Sequence, residues 1–135
     1  MFDTKIAIIV REDLATWQKL NVTAFLMSGI AGANPDIIGE HYHDKDGNMH
    51  LPMSIQPVIV LAGTQSVLTN IRNRAHSREV ATVAYIEEMF ATGNDEANRE
   101  VFAKHDASEE NTVGIALRAE KKIVDKITKG AKMHG

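Results

Sequence analysis

The sequence predicts a three-layer α/β domain: a four-stranded mixed sheet with helices on both faces, plus an inserted hairpin. Continuous apolar runs rich in branched side chains, such as Ile6 to Val10, are typical of strands buried on both faces. These runs alternate with segments in which apolar residues recur at helical spacing, which indicates an α/β arrangement. The 135 residues are close to the commonest domain length, so we expect a single domain over residues 1–135.

The first third of the chain predicts a strand, a helix and the hairpin. Ile6 to Val10 form the strand, and Thr16 is expected to cap a helix from about Trp17 to Gly29. Glycines and Pro35 then favour an end to this helix. Asp46-Gly47-Asn48, between short alternating segments, predicts a tight turn in a hairpin at about residues 40–52.

The rest of the chain is predicted to repeat strand and helix. The same apolar pattern marks three further strands, Pro57 to Leu61, Val80 to Ile86 and Thr112 to Leu117. A helix is expected after each one: the first carries Val67, Leu68 and Ile71 on one face, the second runs from a cap at Asn94 to about Lys104, and the third begins near Ala119. The polar run His105 to Asn111 predicts a solvated loop.

Composition excludes several classes of function. The formal charge of −3 gives no global positive field to recruit nucleic acid or an anionic membrane. With no cysteine, the chain forms no disulfide, thiolate nucleophile or zinc–thiolate site. The amino terminus lacks the pattern of a secretory signal, and no apolar run approaches the ~20 residues of a membrane span. We therefore expect a cytoplasmic protein with no membrane partner.

A histidine-rich stretch is the first candidate for a metal site. His41 and His43 would point the same way on a strand, and His50 could join them across the turn. Exposed hairpins are commonly polar for solubility alone, and this ligand set is short, so we predict no metal. The glycines form no phosphate-binding pattern, and no cofactor is expected.

Three other features carry possible chemistry. The pair Glu87-Glu88 follows a buried strand, at the edge where open α/β sheets place their ligand crevices, and Thr92 comes four residues after Glu88. A carboxylate and a hydroxyl there could hold a water, although such pairs more often solvate a loop. Lys19 lies near the amino end of the first helix, where the helix dipole makes a cation unfavourable. A functional role or a simple surface position could account for the lysine. The basic final helix is more typical of a solvated helix face than of a phosphate-binding surface.

Several segments resemble the second type of peptidyl-tRNA hydrolase, found in archaea and eukaryotes. Lys5-Ile-Ala-Ile-Ile-Val-Arg11-Glu-Asp-Leu14 is similar to that family's opening strand, and Gln18-Lys19-Leu-Asn21 falls on its Gly-Lys-x-Ala. The segment from Ile123 to Gly130 is similar to its closing Val-Asp-Lys-Val-Thr-Gly helix. The hairpin and the helix from Asn94 lie outside this match and resemble the bacterial group known as domain of unknown function 2000.

The resemblance implies a set of site residues. Lys19 stands at the family's essential lysine, Glu88 at its catalytic aspartate and Thr92 at its threonine. Substrate contacts are implied for three residues within the matched segments, Arg11, Asn21 and Thr112. The chain departs from the family at Gln18, Thr23, Leu26 and Glu88, where the family has glycine, glutamine, histidine and aspartate.

Two functions follow as hypotheses. In the first, the chain hydrolyses an ester or amide of a peptidyl-tRNA-like substrate, with Glu88 activating a water, Thr92 positioning it and Lys19 stabilising the oxyanion. In the second, it is a non-catalytic module that binds a small molecule or a protein. The expected partners are tRNA or a small-molecule substrate, and the resemblance implies a homodimer. Nucleic-acid binding without chemistry ranks last.

Overall fold

A five-stranded mixed sheet forms the centre of the structure, a computed structural model that describes residues 2–135. The strands are β1 (Thr4–Arg11), β2 (Tyr42–His43), β3 (Met49–His50), β4 (Val58–Gly63), β5 (Thr82–Ile86), β6 (Thr112–Glu120) and β7 (Lys132–Met133). The helices are α1 (Thr16–Ala33), α2 (Gln65–Ser77), α3 (Asp95–Phe102) and α4 (Lys121–Ile127), with short 3-10 helices at Pro35–Ile37 and Glu87–Ala91.

The sheet order is β5-β6-β1-β4-β7, which buries β1 at the centre. Strand β1 pairs in parallel with β4 and antiparallel with β6, while β5 and β7 are the antiparallel edge strands. The carboxyl ends of β1, β4 and β5 and the amino end of β6 therefore meet at one edge of the sheet.

Helices cover both faces of the sheet, as the sequence predicts. Val22, Leu26 and Ile30 of α1 pack on the face that carries Ile6 and Ile8. On the opposite face, α2 and α4 pack against Ala7 and Ile9 through Leu68, Ile71, Val124 and Ile127. Successive residues of β1 thus enter opposite cores, because strand side chains alternate. The three-layer α/β prediction is confirmed.

The predicted count of four strands is wrong, because β7 adds a fifth. This two-residue strand has no apolar run to reveal it; it pairs by its backbone with Leu61 and Ala62 of β4. Strand β6 also continues to Glu120, which pairs with Thr4 of β1, so the last helix begins at Lys121 rather than near Ala119.

The first helix is longer than predicted and is capped differently. It runs from Thr16 to Ala33 after Ala15, so Thr16 is its first residue and not its cap. Gly29 does not end the helix, because this residue lies directly against Val83 of β5, where a Cβ atom would stand 2.6 Å from a Val83 methyl group. The glycine therefore serves helix–sheet packing instead of a turn.

Two smaller predictions are confirmed, the cap of α3 and the hairpin. Asn94 caps α3 by accepting a hydrogen bond from the Ala97 amide at 2.8 Å. The hairpin forms between β2 and β3, and Gly47 adopts a left-handed backbone with φ of 86° in its turn. Within residues 2–135, no helix has the length and apolar character that crossing a membrane requires.

Candidate functional site

A polar cluster occupies the edge of the sheet where β1, β4 and β5 end and β6 begins. We call it the polar edge, and its members are Arg11, Glu87, Glu88, His105, Glu109 and Asn111. The backbone holds it together, because the Glu87 amide donates to the Asn111 carbonyl at 2.8 Å and the Glu12 amide to the Gly63 carbonyl at 2.9 Å. This is the edge where the sequence places the ligand crevice.

Arg11 is buried at the polar edge and bound to two carboxylates. Its Nε donates to Asp13 at 2.6 Å and its Nη1 to Glu87 at 3.1 Å. Burial lowers the pKa of Arg11, but the hydrogen bonds to Asp13 and Glu87 and the charges of these carboxylates together outweigh burial and raise the pKa above its usual value. The guanidinium thus fastens the end of β1 to the start of the Glu87–Ala91 helix.

One carboxylate oxygen of Glu88 accepts a hydrogen bond, and the other has no hydrogen-bond partner in the described residues. Its Oε1 accepts a hydrogen bond from Asn111 Nδ2 at 2.9 Å, and its Oε2 lies 3.8 Å from His105 Nε2. The Glu88 side chain keeps 35% of its surface exposed. Asn111 is buried, and its Oδ1 has no hydrogen-bond partner among the described residues.

His105 stands between two carboxylates. Its Nδ1 contacts Glu109 Oε1 at 2.9 Å, and Glu109 Oε2 accepts from the Asp106 amide at 2.7 Å. The hydrogen bond to Glu109 raises the pKa of His105 above its usual value, and the charge of Glu88 adds to this effect. The same hydrogen bond lowers the pKa of Glu109. The sequence analysis missed this pair, although the His105–Glu109 spacing of one helical turn signals it.

Lys19 lies on the sheet-facing side of α1. It precedes Val22 by one helical turn and Leu26 by two, so it shares their side of the helix. Its side chain is half-buried. No carboxylate of residues 2–135 comes within ion-pair distance of its ammonium group.

Thr112 is a buried residue whose hydroxyl is occupied. It accepts a hydrogen bond from Arg72 Nη1 at 3.1 Å. Arg72 also lies over the ring of Phe102, 5.3 Å from its centroid, and burial lowers the pKa of this arginine. The contact ties α2 to the segment after α3, so the structure places Thr112 inside a packing contact.

A groove of about 900 Å³ lies between α1, β5 and α3. Five aromatic side chains line it, and four of them form a row of ring contacts. The ring centroids of Trp17 and Phe90 are 5.9 Å apart in an edge-to-face arrangement, those of Phe90 and Tyr85 are 5.2 Å apart, and those of Tyr85 and Phe25 are 5.8 Å apart. Trp17 is 61% exposed and Phe25 50% exposed, although both rings are apolar. We call this feature the aromatic groove.

Uncharged polar groups line the other side of the aromatic groove. Thr92 Oγ1 donates to the Met89 carbonyl at 2.8 Å and also contacts the Asn98 side-chain amide. The Thr92 hydroxyl faces Asn98 Oδ1, so the NH₂ group of Asn98 is the part of this amide that can donate to a ligand. Asn21 lies on the same wall.

The three predicted catalytic residues make separate contacts in the structure. Thr92 lines the aromatic groove, whereas Glu88 belongs to the polar edge and Lys19 contributes to neither set of contacts. Throughout residues 2–135, no hydrogen bond or ion pair joins any two of them. Of the predicted substrate-binding residues, only Asn21 lines the groove.

The histidine-rich hairpin does not form the three-histidine arrangement. Strand register pairs His50 with Tyr42, so His50 projects from the face opposite to that of His43. His50 instead contacts Asp44 at 3.1 Å, and this hydrogen bond is the main cause that lowers the pKa of Asp44. The backbone hydrogen bonds that Asp44 accepts lower its pKa further. Among the described residues, no three His, Asp or Glu side chains are arranged so that they could hold one metal ion together.

Two of three comparisons with known proteins found a match. The family model described as "Protein of unknown function (DUF2000)" matches residues 4–135. A solved structure of a protein of unknown function from Agrobacterium tumefaciens strain C58 is 59% identical, with a TM-score of 0.99 and 100% of each chain covered. A search of curated proteins found no match.

Proposed function

The chain belongs to the DUF2000 family, whose description names no activity, and we propose that it binds a small molecule with a flat, uncharged ring in the aromatic groove. The observation that carries this proposal is the row of four aromatic side chains along a groove of about 900 Å³. Concave apolar sites with a few placed polar groups are where small molecules bind in most proteins.

The lining of the groove defines the class of ligand. Aromatic rings favour a flat partner, and the amides of Asn21 and Asn98 favour uncharged donors and acceptors on its edge. The charged residues of the groove support the same preference, since Arg99 Nε already donates to Asp95 at 2.7 Å. An anionic ligand would therefore compete with a carboxylate that is already in place.

Trp17 makes the proposal directly testable, because it is the chain's single tryptophan and lies in the groove. Its emission should be quenched on titration with adenosine or N-acetylphenylalaninamide, two probes of the required chemistry. Phe90→Leu should weaken binding about 10-fold, the loss expected for one aromatic contact. Phe2→Leu, outside the groove, is the matched control. Absence of quenching by both probes, or equal affinity in Phe90→Leu, would contradict the proposal.

A second candidate function is hydrolysis of an ester or amide in a peptidyl-tRNA-like substrate at the polar edge. The supporting observation is Glu88, a carboxylate with one oxygen held by Asn111 and the other open at 35% side-chain exposure. Lys19, half-buried and free of ion pairs in the described residues, supplies a cation for an oxyanion. The assay is release of free tRNA, with Lys19→Ala and Glu88→Gln as variants. Full activity in both variants would exclude this mechanism.

A homodimer is a further proposal, supported by exposed apolar side chains. Met49, Leu51, Met53 and Ile55 are between 57% and 78% exposed along one stretch of chain. They adjoin a shallow apolar depression lined by Ala24, Met27 and Val58, among others. Exposed apolar patches of this kind mark interaction surfaces. Size-exclusion chromatography with light scattering measures the mass that decides the point.

A further inference from the structure

We propose that Glu88 and His105 act as an acid–base pair at the polar edge, with Glu109 as the residue that positions His105. This inference rests on the second candidate function, hydrolysis, and adds a general acid that the resemblance does not supply. The pair joins two elements, because Glu88 follows β5 and His105 follows α3.

The contacts of the two side chains assign one role to each. Glu109 holds Nδ1 of His105 at 2.9 Å, so Nε2 is the nitrogen that faces Glu88 Oε2 at 3.8 Å. That separation is too long for a direct hydrogen bond but within reach of one shared water or substrate atom. Asn111 holds the other oxygen of Glu88, which leaves Oε2 as the base. Both side chains remain partly open to solvent, with 35% of Glu88 and 24% of His105 exposed.

The charges around His105 favour its protonated form. Glu109 and Glu88 face it from two sides, and Lys104 is the cation that opposes them. Arg72, on α2, interacts with Asp106 and Glu109 and so acts on the same cluster. The hydrogen bond to Glu109 raises the pKa of His105. A carboxyl group beside an imidazolium supplies the base and the acid that general acid–base hydrolysis uses.

The proposed step balances in protons and electrons. Glu88 Oε2 takes a proton from water as the water oxygen bonds to the ester carbonyl carbon, and the carbonyl oxygen becomes an oxyanion. When the oxyanion collapses, the bond from carbon to the leaving oxygen breaks, and its electron pair stays on that oxygen. The leaving oxygen then takes the proton from His105 Nε2. Transfer of a proton from Glu88 to His105 through a water restores both groups.

The test measures tRNA release from a peptidyl-tRNA against pH for the wild type, His105→Asn and Glu109→Gln. His105→Asn should lower kcat about 100-fold, the usual contribution of a general acid or base. Glu109→Gln should lower kcat less than His105→Asn does, because only the positioning of the imidazole is weakened, and should move the alkaline limb of the profile to lower pH. His76→Asn, at an exposed position on α2, is the matched control. Wild-type kcat in His105→Asn, or an unmoved alkaline limb in Glu109→Gln, would overturn the proposal.

A second measurement separates failure of the pair from failure of the hydrolase proposal. Nuclear magnetic resonance titration of the His105 ring needs no substrate. Glu88→Gln should lower the pKa of His105, and Glu109→Gln should lower it more, because the hydrogen bond to Glu109 is the larger cause of its shift. If the wild type releases no tRNA, the hydrolysis proposal fails, and this titration decides on the pair: an unchanged His105 titration in Glu88→Gln overturns it.

Discussion

Asn111 Nδ2 donates to Glu88 Oε1 at 2.9 Å, while the Oδ1 atom of the same amide is buried without a partner in the described chain. A buried acceptor that lacks a donor costs free energy, so this arrangement is set by the needs of Glu88 and not by those of Asn111. The amide cannot turn over, because its oxygen would then face the Glu88 carboxylate. The contact therefore depends on an acceptor oxygen at Glu88 and a donor at Asn111, and should respond to a change of either group.

Asn111→Asp should destabilise the protein by roughly 1–3 kcal/mol at pH 8, because it sets a second carboxylate against Glu88 in a buried position. The loss should shrink as pH falls and the carboxylates take up protons. Adding Glu88→Gln should recover most of the stability, since a glutamine amide can donate to the new carboxylate. Urea unfolding of the single and double variants gives the coupling energy. Purely additive effects would show that the two side chains do not interact.

Glu109→Gln should destabilise the protein only within a limited range of pH. The raised pKa of His105 contributes stability that is full below its unfolded value of about 6.5 and disappears as pH rises through the folded pKa. The lowered pKa of Glu109 contributes stability that is present above about 4.3 and disappears as pH falls through its folded pKa.

The difference between wild type and Glu109→Gln should therefore be largest at about pH 5 to 6.5, and smaller on either side. Urea unfolding from pH 3 to pH 9 measures this profile. Glu110→Gln is a suitable control, because the neighbouring carboxylate has no ion pair in residues 2–135. A difference that is constant with pH would show that the His105–Glu109 contact is not ionic.

Gly114→Ala should cost about 1–3 kcal/mol through overpacking. Gly114 lies in β6 beneath α1, and a Cβ there would meet the buried side chains of Val22 and Leu26. Gly32→Ala is the contrasting variant: its Cβ meets nothing within 4 Å, and alanine should stabilise the helix by about 0.5–1 kcal/mol. Thermal unfolding compares the two variants. Equal melting temperatures would show that α1 can move away from the sheet.

The sequence predicts the layers of this fold because its buried strands and helical faces leave periodic patterns. Ile6 to Val10 need no context to be recognised as a buried strand. The fifth strand, by contrast, is stabilised by backbone pairing with β4, which leaves no trace in residue type. Gly29 suggests a helix end in the sequence, but it lies within α1 and packs against Val83, a contact that its residue type does not reveal.

The candidate site was harder to predict for a related reason. The sequence shows Glu88 at a strand end. Its contacts with Asn111 and His105 involve residues 23 and 17 positions further along the chain, and only the folded structure brings them next to Glu88. The aromatic groove is missed altogether. Trp17, Phe25, Tyr85 and Phe90 occupy two distant segments, and nothing in their local spacing shows that they line one surface.

Thr92→Val should loosen α3 rather than unfold the domain. The hydroxyl of Thr92 joins the Met89 carbonyl to Asn98 of α3, and valine removes both contacts at a cost of about 1 kcal/mol. Amide hydrogen exchange should therefore speed up in Asp95–Phe102 and stay unchanged in β1. Thr92→Ser keeps the hydroxyl and serves as the control. Protection in α3 that is equal in valine and serine variants would contradict this role.

Replacing residues 41–51 by two glycines should remove the hairpin without unfolding the sheet. The base of the hairpin is fastened separately, because the Gly39 amide donates to the Met53 carbonyl at 3.0 Å and the Ile55 amide to the Ile37 carbonyl at 2.8 Å. The excised residues are exposed, so little core is lost. The variant also removes Met49 and Leu51 from the proposed dimer surface. If that surface joins two copies, light scattering should show a shift from dimer to monomer at unchanged circular dichroism, and a variant with wild-type mass would place any dimer contact elsewhere.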